Sequence, residues 1–94
     1  MFIISLTYTK PVEEVDKHIK GHYEYIDKYV KAGKFLLTGR KVPRTGGVIL
    51  CEASSLEEVR SIIREDPFTI HEIGDIEITE FAPTVSAGPF EGIL

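Results

Sequence analysis

The side chains in this 94-residue chain suited to acid–base or nucleophilic chemistry are three histidines, one cysteine and a few tyrosines, carboxylates and basic residues. His22 is the leading candidate. It lies seven residues after Val15 and four before Ile26, roughly 50° from the centre of an apolar helical stripe. A side chain so placed leans toward a sheet or the edge of a pocket, where an imidazole needs partners for its nitrogens. Histidine's ordinary pKa of about 6.5 suits a general acid or base at that position. A histidine hydrogen-bonded beside the core fits the same spacing. His18 stands four residues before His22, the spacing of helical metal ligands. It falls roughly 90° off the stripe, however, and the Lys-His-Ile-Lys-Gly-His segment lacks the glutamate of a zinc-protease helix. Cys51 is the only cysteine, so no metal site and no cofactor is expected.

The remaining candidates have plainer readings. Cys51 sits in an apolar strand and reads as a small hydrophobe. Arg40, Lys41 and Arg44 form a basic turn, able to receive an anionic substrate group but equally at home in water. Tyr8, beside Leu6 on the first strand, is placed to add a hydroxyl to a pocket. Tyr23 and Tyr29 border the helical stripe and Tyr25 points further outward, all three as packing residues. Asp66 precedes Pro67, where a carboxylate commonly caps a turn. His71 is expected at the surface. Gly46-Gly47 is followed by a strand rather than a helix, so it is not a phosphate-binding loop.

Six elements must position these groups. Residues 2–8 alternate as a strand, with Ile4, Leu6 and Tyr8 on one face. Pro11 opens a helix running from Val12 to about Ala32 with the stripe Val12, Val15, Ile19, Ile26 and Val30. Gly33 supplies its left-handed stop. Gly21 costs that helix about 1 kcal/mol relative to alanine. Lys34–Thr38 is a short buried strand, and Val48–Ala53 is a third, apolar on both sides. Ser54-Ser55-Leu56-Glu57-Glu58 carries a capping box for a second helix through Leu56, Val59, Ile62 and Ile63, ended by Asp66-Pro67. A fourth strand follows through Ile76, Ile78 and Glu80.

The order β-α-β-β-α-β is that of a ferredoxin-like α+β domain with an antiparallel four-stranded sheet and both helices on one face. Residues 1–82 form the domain, and 83–94 form a Pro/Gly-punctuated C-terminal tail ending in Ile93 and Leu94. Two helices cover one face only, while the second and third strands are apolar on both. A second copy of the chain is the simplest cover, so a homodimer is expected.

Hydrophobic residues at 43% and charged ones at 28% are ordinary for a globular protein and exclude a disordered chain. A net charge of −4 argues against nucleic acid, whose binding needs a basic face. No apolar run approaches the roughly 18 residues of a membrane span. The opening Phe-Ile-Ile-Ser-Leu run is short for a signal peptide and lacks a basic leader. The expectation is a cytoplasmic protein with a small-molecule ligand and no membrane partner.

The chain also resembles the YCII-related (YciI-like) family of the dimeric α/β-barrel class. The resemblance rests on His22 followed by Tyr25 and Ile26, the run Gly33-Lys34-Phe35-Leu36-Leu37-Thr38-Gly39, the Ser-Leu-Glu-Glu helix start and Asp66-Pro67-Phe68, and it spans roughly residues 2–82. It implies a dimeric ferredoxin-like barrel with a His–Asp active site, here His22 and Asp66. Tyr8, Gly39, Arg40 and Phe68 are the expected substrate contacts beside that pair. A lyase acting on chlorinated aromatic compounds is among the activities associated with the family. The chain departs from the family pattern at Gly39-Arg40, often Gly-Pro, and at Thr69–Ile73, where Ala-Gly-Leu is usual. Antiparallel helices of unequal length permit the end of the second to lie level with the middle of the first, which allows Asp66 to reach His22. The pair suits elimination, isomerisation or hydration of a small aromatic or acidic molecule. The competing reading is a non-catalytic ligand-binding or accessory dimer, with the tail reaching across a neighbour.

Overall fold

The computed structural model describes residues 1–88. Its elements are β1 (Phe2–Tyr8), α1 (Val12–Asp16), α2 (Ile19–Lys31), β2 (Phe35–Arg40), β3 (Gly46–Cys51), α3 (Leu56–Ile63), α4 (Pro67–Ile70) and β4 (Gly74–Glu80). The four strands form one antiparallel sheet in the order β2-β3-β1-β4. This is the α+β ferredoxin-like arrangement expected from the sequence.

Strand alternation decides what the helices cover. Phe2, Ile4 and Leu6 of β1 are buried, and their neighbours Cys51 and Ile49 on β3 and Ile78 and Ile76 on β4 share their face. Onto that face pack Tyr25 from α2 and Val59, Ile62 and Ile63 from α3, with Phe35 closing the β2 side. A second cluster of Leu6, Val15, Phe68 and Ile73 fills the other end of the layer. Burying one side chain of this size contributes roughly 1.5–3 kcal/mol. The Cys51 thiol lies inside the first cluster, and burial pushes its pKa up.

Local signals set the helix boundaries. Gly33 adopts φ 76°, and the amides of Gly33 and Lys34 donate to Val30 and Tyr29 carbonyls, closing α2 with a Schellman turn. The Ser55 hydroxyl accepts from the Glu58 amide at 3.2 Å, while the Glu58 carboxylate reaches back to Ser54 instead of Ser55. Lys34 binds the same carboxylate at 3.0 Å and holds it below the usual glutamate range, tying the start of β2 to α3.

Several expectations need correction. The long helix is two helices broken at Lys17–His18, and the inner face carries on across the break from Val15 to Ile19. Val12 and Val30, at the two ends of the stripe, are exposed, whereas Tyr25, expected to point outward, is 7% exposed. The inner face of α2 is Ile19, His22, Tyr25, Ile26 and Tyr29, spaced three and four apart. β2 runs on to Arg40, with a bulge between Phe35 and Leu37. It is an edge strand, and Leu37 is 60% exposed rather than buried. β3 begins at Gly46 and ends at Cys51, two residues earlier at each end than read. A short helix, α4, follows Asp66, too brief to leave a periodic trace. Ile93 and Leu94 lie outside the described residues.

Candidate functional site

α2 and α4 bring the two leading candidates together. Gly21 faces the Pro67 ring: a Cβ there would come within 3.3 Å of Pro67 Cγ. The bare backbone lets the first residue of α4 seat against α2, and each of these residues has a candidate next to it in sequence, His22 and Asp66. Pro67 suits the first helical turn because it lacks the amide that would otherwise go unpaired there.

His22 Nδ1 lies 2.8 Å from Asp66 Oδ1. The Phe68 amide donates to the same oxygen at 2.9 Å, so Asp66 also caps α4. Asp66 is 7% exposed, the one buried acidic side chain among the described residues. A carboxylate accepts only, so in the neutral imidazole Nδ1 carries the proton and Nε2 the lone pair. Phe68, 1% exposed, stacks on the imidazole at 4.0 Å between ring centres and 6° between planes. Tyr8 meets Phe68 edge-on at 6.0 Å. Carboxylate and ring together fix both the tilt and the tautomer of His22.

Beside this pair a cavity of about 240 Å³ opens between the sheet and α2. His22, Asp66, Phe68 and Tyr8 line it on one side, and Thr38, Gly39, Arg40 and Gly47 on the other. A cavity of about 150 Å³ is known to hold benzene, so this one has room for a substituted single ring. All the residues expected to touch substrate thus border one space, with Phe68 serving chiefly as backing for the imidazole. Thr38 and Gly47 were not singled out from the sequence. Alternation along β2 places Thr38 on the face of Arg40, but only once the strand is known to reach Arg40.

Of the other candidates, Tyr23 and Tyr25 also border the cavity, and the rest lie elsewhere. The Tyr25 hydroxyl donates to the Ile62 carbonyl at 2.8 Å, and burial, with the nearby Asp66 carboxylate, pushes its pKa well up. It holds α2 to α3 and is no proton donor at neutral pH. His18 stacks face to face on His71 at 3.8 Å, with 12° between the planes. Ring nitrogens point within their own planes, so this stack does not converge on one ion. Among the described residues no group of three or more His, Cys, Asp or Glu side chains is placed to hold a metal. Arg44 binds Asp16, and Lys41 donates to the Thr7 hydroxyl at 2.8 Å, so only Arg40 of the basic turn borders the cavity.

The YCII-related domain pattern matches residues 1–91. The chain belongs to the YCII-related family. An uncharacterised Bacillus subtilis (strain 168) protein, YjpA, is 32% identical over 65 residues, covering 69% of this chain and 76% of YjpA. Among solved structures, 5-chloro-2-hydroxyhydroquinone dehydrochlorinase (TftG) from Burkholderia phenoliruptrix AC1100, in complex with 2,5-dihydroxybenzoquinone, superposes with a TM-score of 0.73. At 19% identity over 87% of this chain and 94% of TftG, the likeness is one of fold. No helix among the described residues is long and apolar enough to cross a membrane.

Proposed function

We propose that this YCII-related domain is a cofactor-independent acid–base catalyst acting on a small aromatic or acidic molecule. His22 Nε2 takes or returns a proton, and Asp66 holds the tautomer and stabilises the imidazolium. One observation carries the reading: a carboxylate holds Nδ1 at 2.8 Å while the same imidazole borders a cavity large enough for a single ring. In an elimination, Nε2 accepts the substrate proton, the C–H electrons form the new double bond, and the leaving group departs with its bonding pair. Isomerisation returns the proton to another carbon, and hydration runs the elimination backwards with water. TftG, a dehydrochlorinase bound to a single planar ring, is a precedent for such chemistry on this fold.

The test is turnover of a panel of chlorinated hydroquinones and enolisable acids by the purified protein, followed by absorbance and chloride release. His22→Asn is expected to lower the rate by about 10²–10⁴-fold, the usual share of a positioned acid or base. An undiminished rate in H22N refutes the mechanism and leaves a ligand-binding module.

We also propose that the chain pairs as a homodimer through the sheet face away from the helices. Ile3, Leu37 and Val48 share that face and are 37%, 60% and 39% exposed in the single chain. Leu37→Glu is expected to shift the sedimentation velocity of the protein to that of a monomer. A lone, buried cysteine suits a reducing compartment such as the cytoplasm.

A further inference from the structure

Most basic side chains of this protein are matched within the chain. Lys17, Lys28, Lys31, Lys34, Arg44 and Arg60 each pair with a carboxylate, and Lys41 holds the Thr7 hydroxyl. Arg40 has no ion pair and no side-chain hydrogen bond among the described residues, and it is the one lysine or arginine that borders the cavity. The only carboxylate on the cavity wall, Asp66, is already committed to His22 and the Phe68 amide.

Sheet register explains why a guanidinium sits there. Thr38 pairs with Ile49 and Arg40 with Gly47, so Arg40 lies on the helix-facing side of β2. The row through Arg40 continues as Gly47, Leu6 and Ile76 across β3, β1 and β4. Read across the sheet, that row is a cation, a position with no side chain, and then two apolar side chains. The neighbouring row, Thr38, Ile49, Ile4 and Ile78, has no such gap. The glycine leaves a slot bounded by the charge at the sheet edge and by hydrocarbon at its centre, with His22 and Phe68 on the helix side.

We propose that Arg40 is the specificity-determining residue of the cavity, selecting a planar single-ring acid whose anionic oxygens dock on the guanidinium while the ring lies over Gly47 against Leu6. Arginine presents paired donors in a plane, the geometry that a carboxylate or an oxygen-bearing ring edge matches. The inference rests on the cavity being the substrate site, and it narrows the substrate class to ring acids.

The test compares 2,5-dihydroxybenzoate with its uncharged amide, 2,5-dihydroxybenzamide, both titrated at up to millimolar concentration by ¹H–¹⁵N NMR on the full chain. The acid is expected to bind about tenfold or more tighter than the amide, as a charge-assisted contact requires. Arg40→Gln is expected to bring the two within about twofold, and Arg40→Lys to retain part of the preference. Equal binding of acid and amide by the unaltered protein, an undiminished preference in R40Q, or no shift of cavity residues with either compound overturns the proposal. The same titration on His22→Asn separates this inference from the catalytic reading. A preserved acid preference in H22N, whatever its rate of turnover, supports Arg40 as the selector, and a preference lost there but kept in R40Q overturns it.

Discussion

Tyr25 and His22 sit one turn apart on the same face of α2 and both border the cavity, yet Tyr25 spends its one polar atom on structure while His22 has only one of its two nitrogens held. The Tyr25 ring is surrounded: Phe35 and Tyr29 lie edge-on at 5.7 and 5.3 Å, and its hydroxyl is spent on the Ile62 carbonyl. His22 has one nitrogen held and its ring backed by Phe68, with a cavity beside it. The difference comes from the sheet opposite. Beneath Tyr25 the strands present Phe35, Cys51 and Phe2, whereas near His22 they present Gly47 and the edge residue Arg40. Both side chains are anchored by hydrogen bonds of 2.8 Å, so bonding alone does not separate them. The candidate site arises where a well-held side chain meets missing bulk.

Substitutions can test that contrast from both ends. The largest effect is expected from Asp66→Asn. Asparagine caps helices as well as aspartate does, so stability should stay within about 0.5 kcal/mol. It neither stabilises an imidazolium nor enforces the tautomer, so turnover of any substrate found should fall by about 10²–10⁴-fold. Equal losses in stability and rate would show that the pair is structural. At the packed end, Phe35→Ala should cost about 3–5 kcal/mol by urea denaturation, the usual loss for a buried phenyl ring.

Tyr25→Phe is expected to be milder. The Ile62 carbonyl keeps the Glu65 amide at 3.2 Å, so losing the hydroxyl should cost about 1 kcal/mol and leave turnover unchanged. It should also alter the alkaline limb of stability. The folded phenol ionises above its ordinary value, chiefly because it is buried. Its contribution is complete below pH about 10 and is lost as pH rises through the folded value. In Y25F that part of the decline should vanish, which denaturation at pH 9, 10 and 11 would reveal. Gly21→Ala should have the smallest effect on stability, a helical gain of about 1 kcal/mol opposing the tight approach to Pro67. Its effect should fall on turnover, a few-fold loss as α4 shifts against α2.

The topology was legible because strand alternation, the Gly33 stop and the Ser-x-x-Glu start are local signals, each obeyed where it occurs. The break in the first helix was not. One stripe drawn from Val12 to Val30 crosses the break at Lys17–His18, which no residue there announces. His22 was still placed correctly because Val15, Ile19 and Ile26, which fix its angle, keep one face across the break. Asp66 was legible as a cap and only permitted as a partner, since its approach depends on Gly21 meeting Pro67 across 46 residues. The cavity had no trace in the sequence, because what makes it is the side chain that Gly47 lacks. Leu37 misled because it lies at a sheet edge on the face that no helix covers, and both depend on topology rather than on composition.

Cys51 turns the packed end into a clock. Its thiol is fully enclosed and its ionisation is suppressed by burial, so an alkylating reagent reaches it only in molecules that have come apart. Labelling of this lone thiol therefore counts opening events without touching the imidazole. A compound that settles in the cavity should slow the clock in proportion to its occupancy, even before any reaction for it is known.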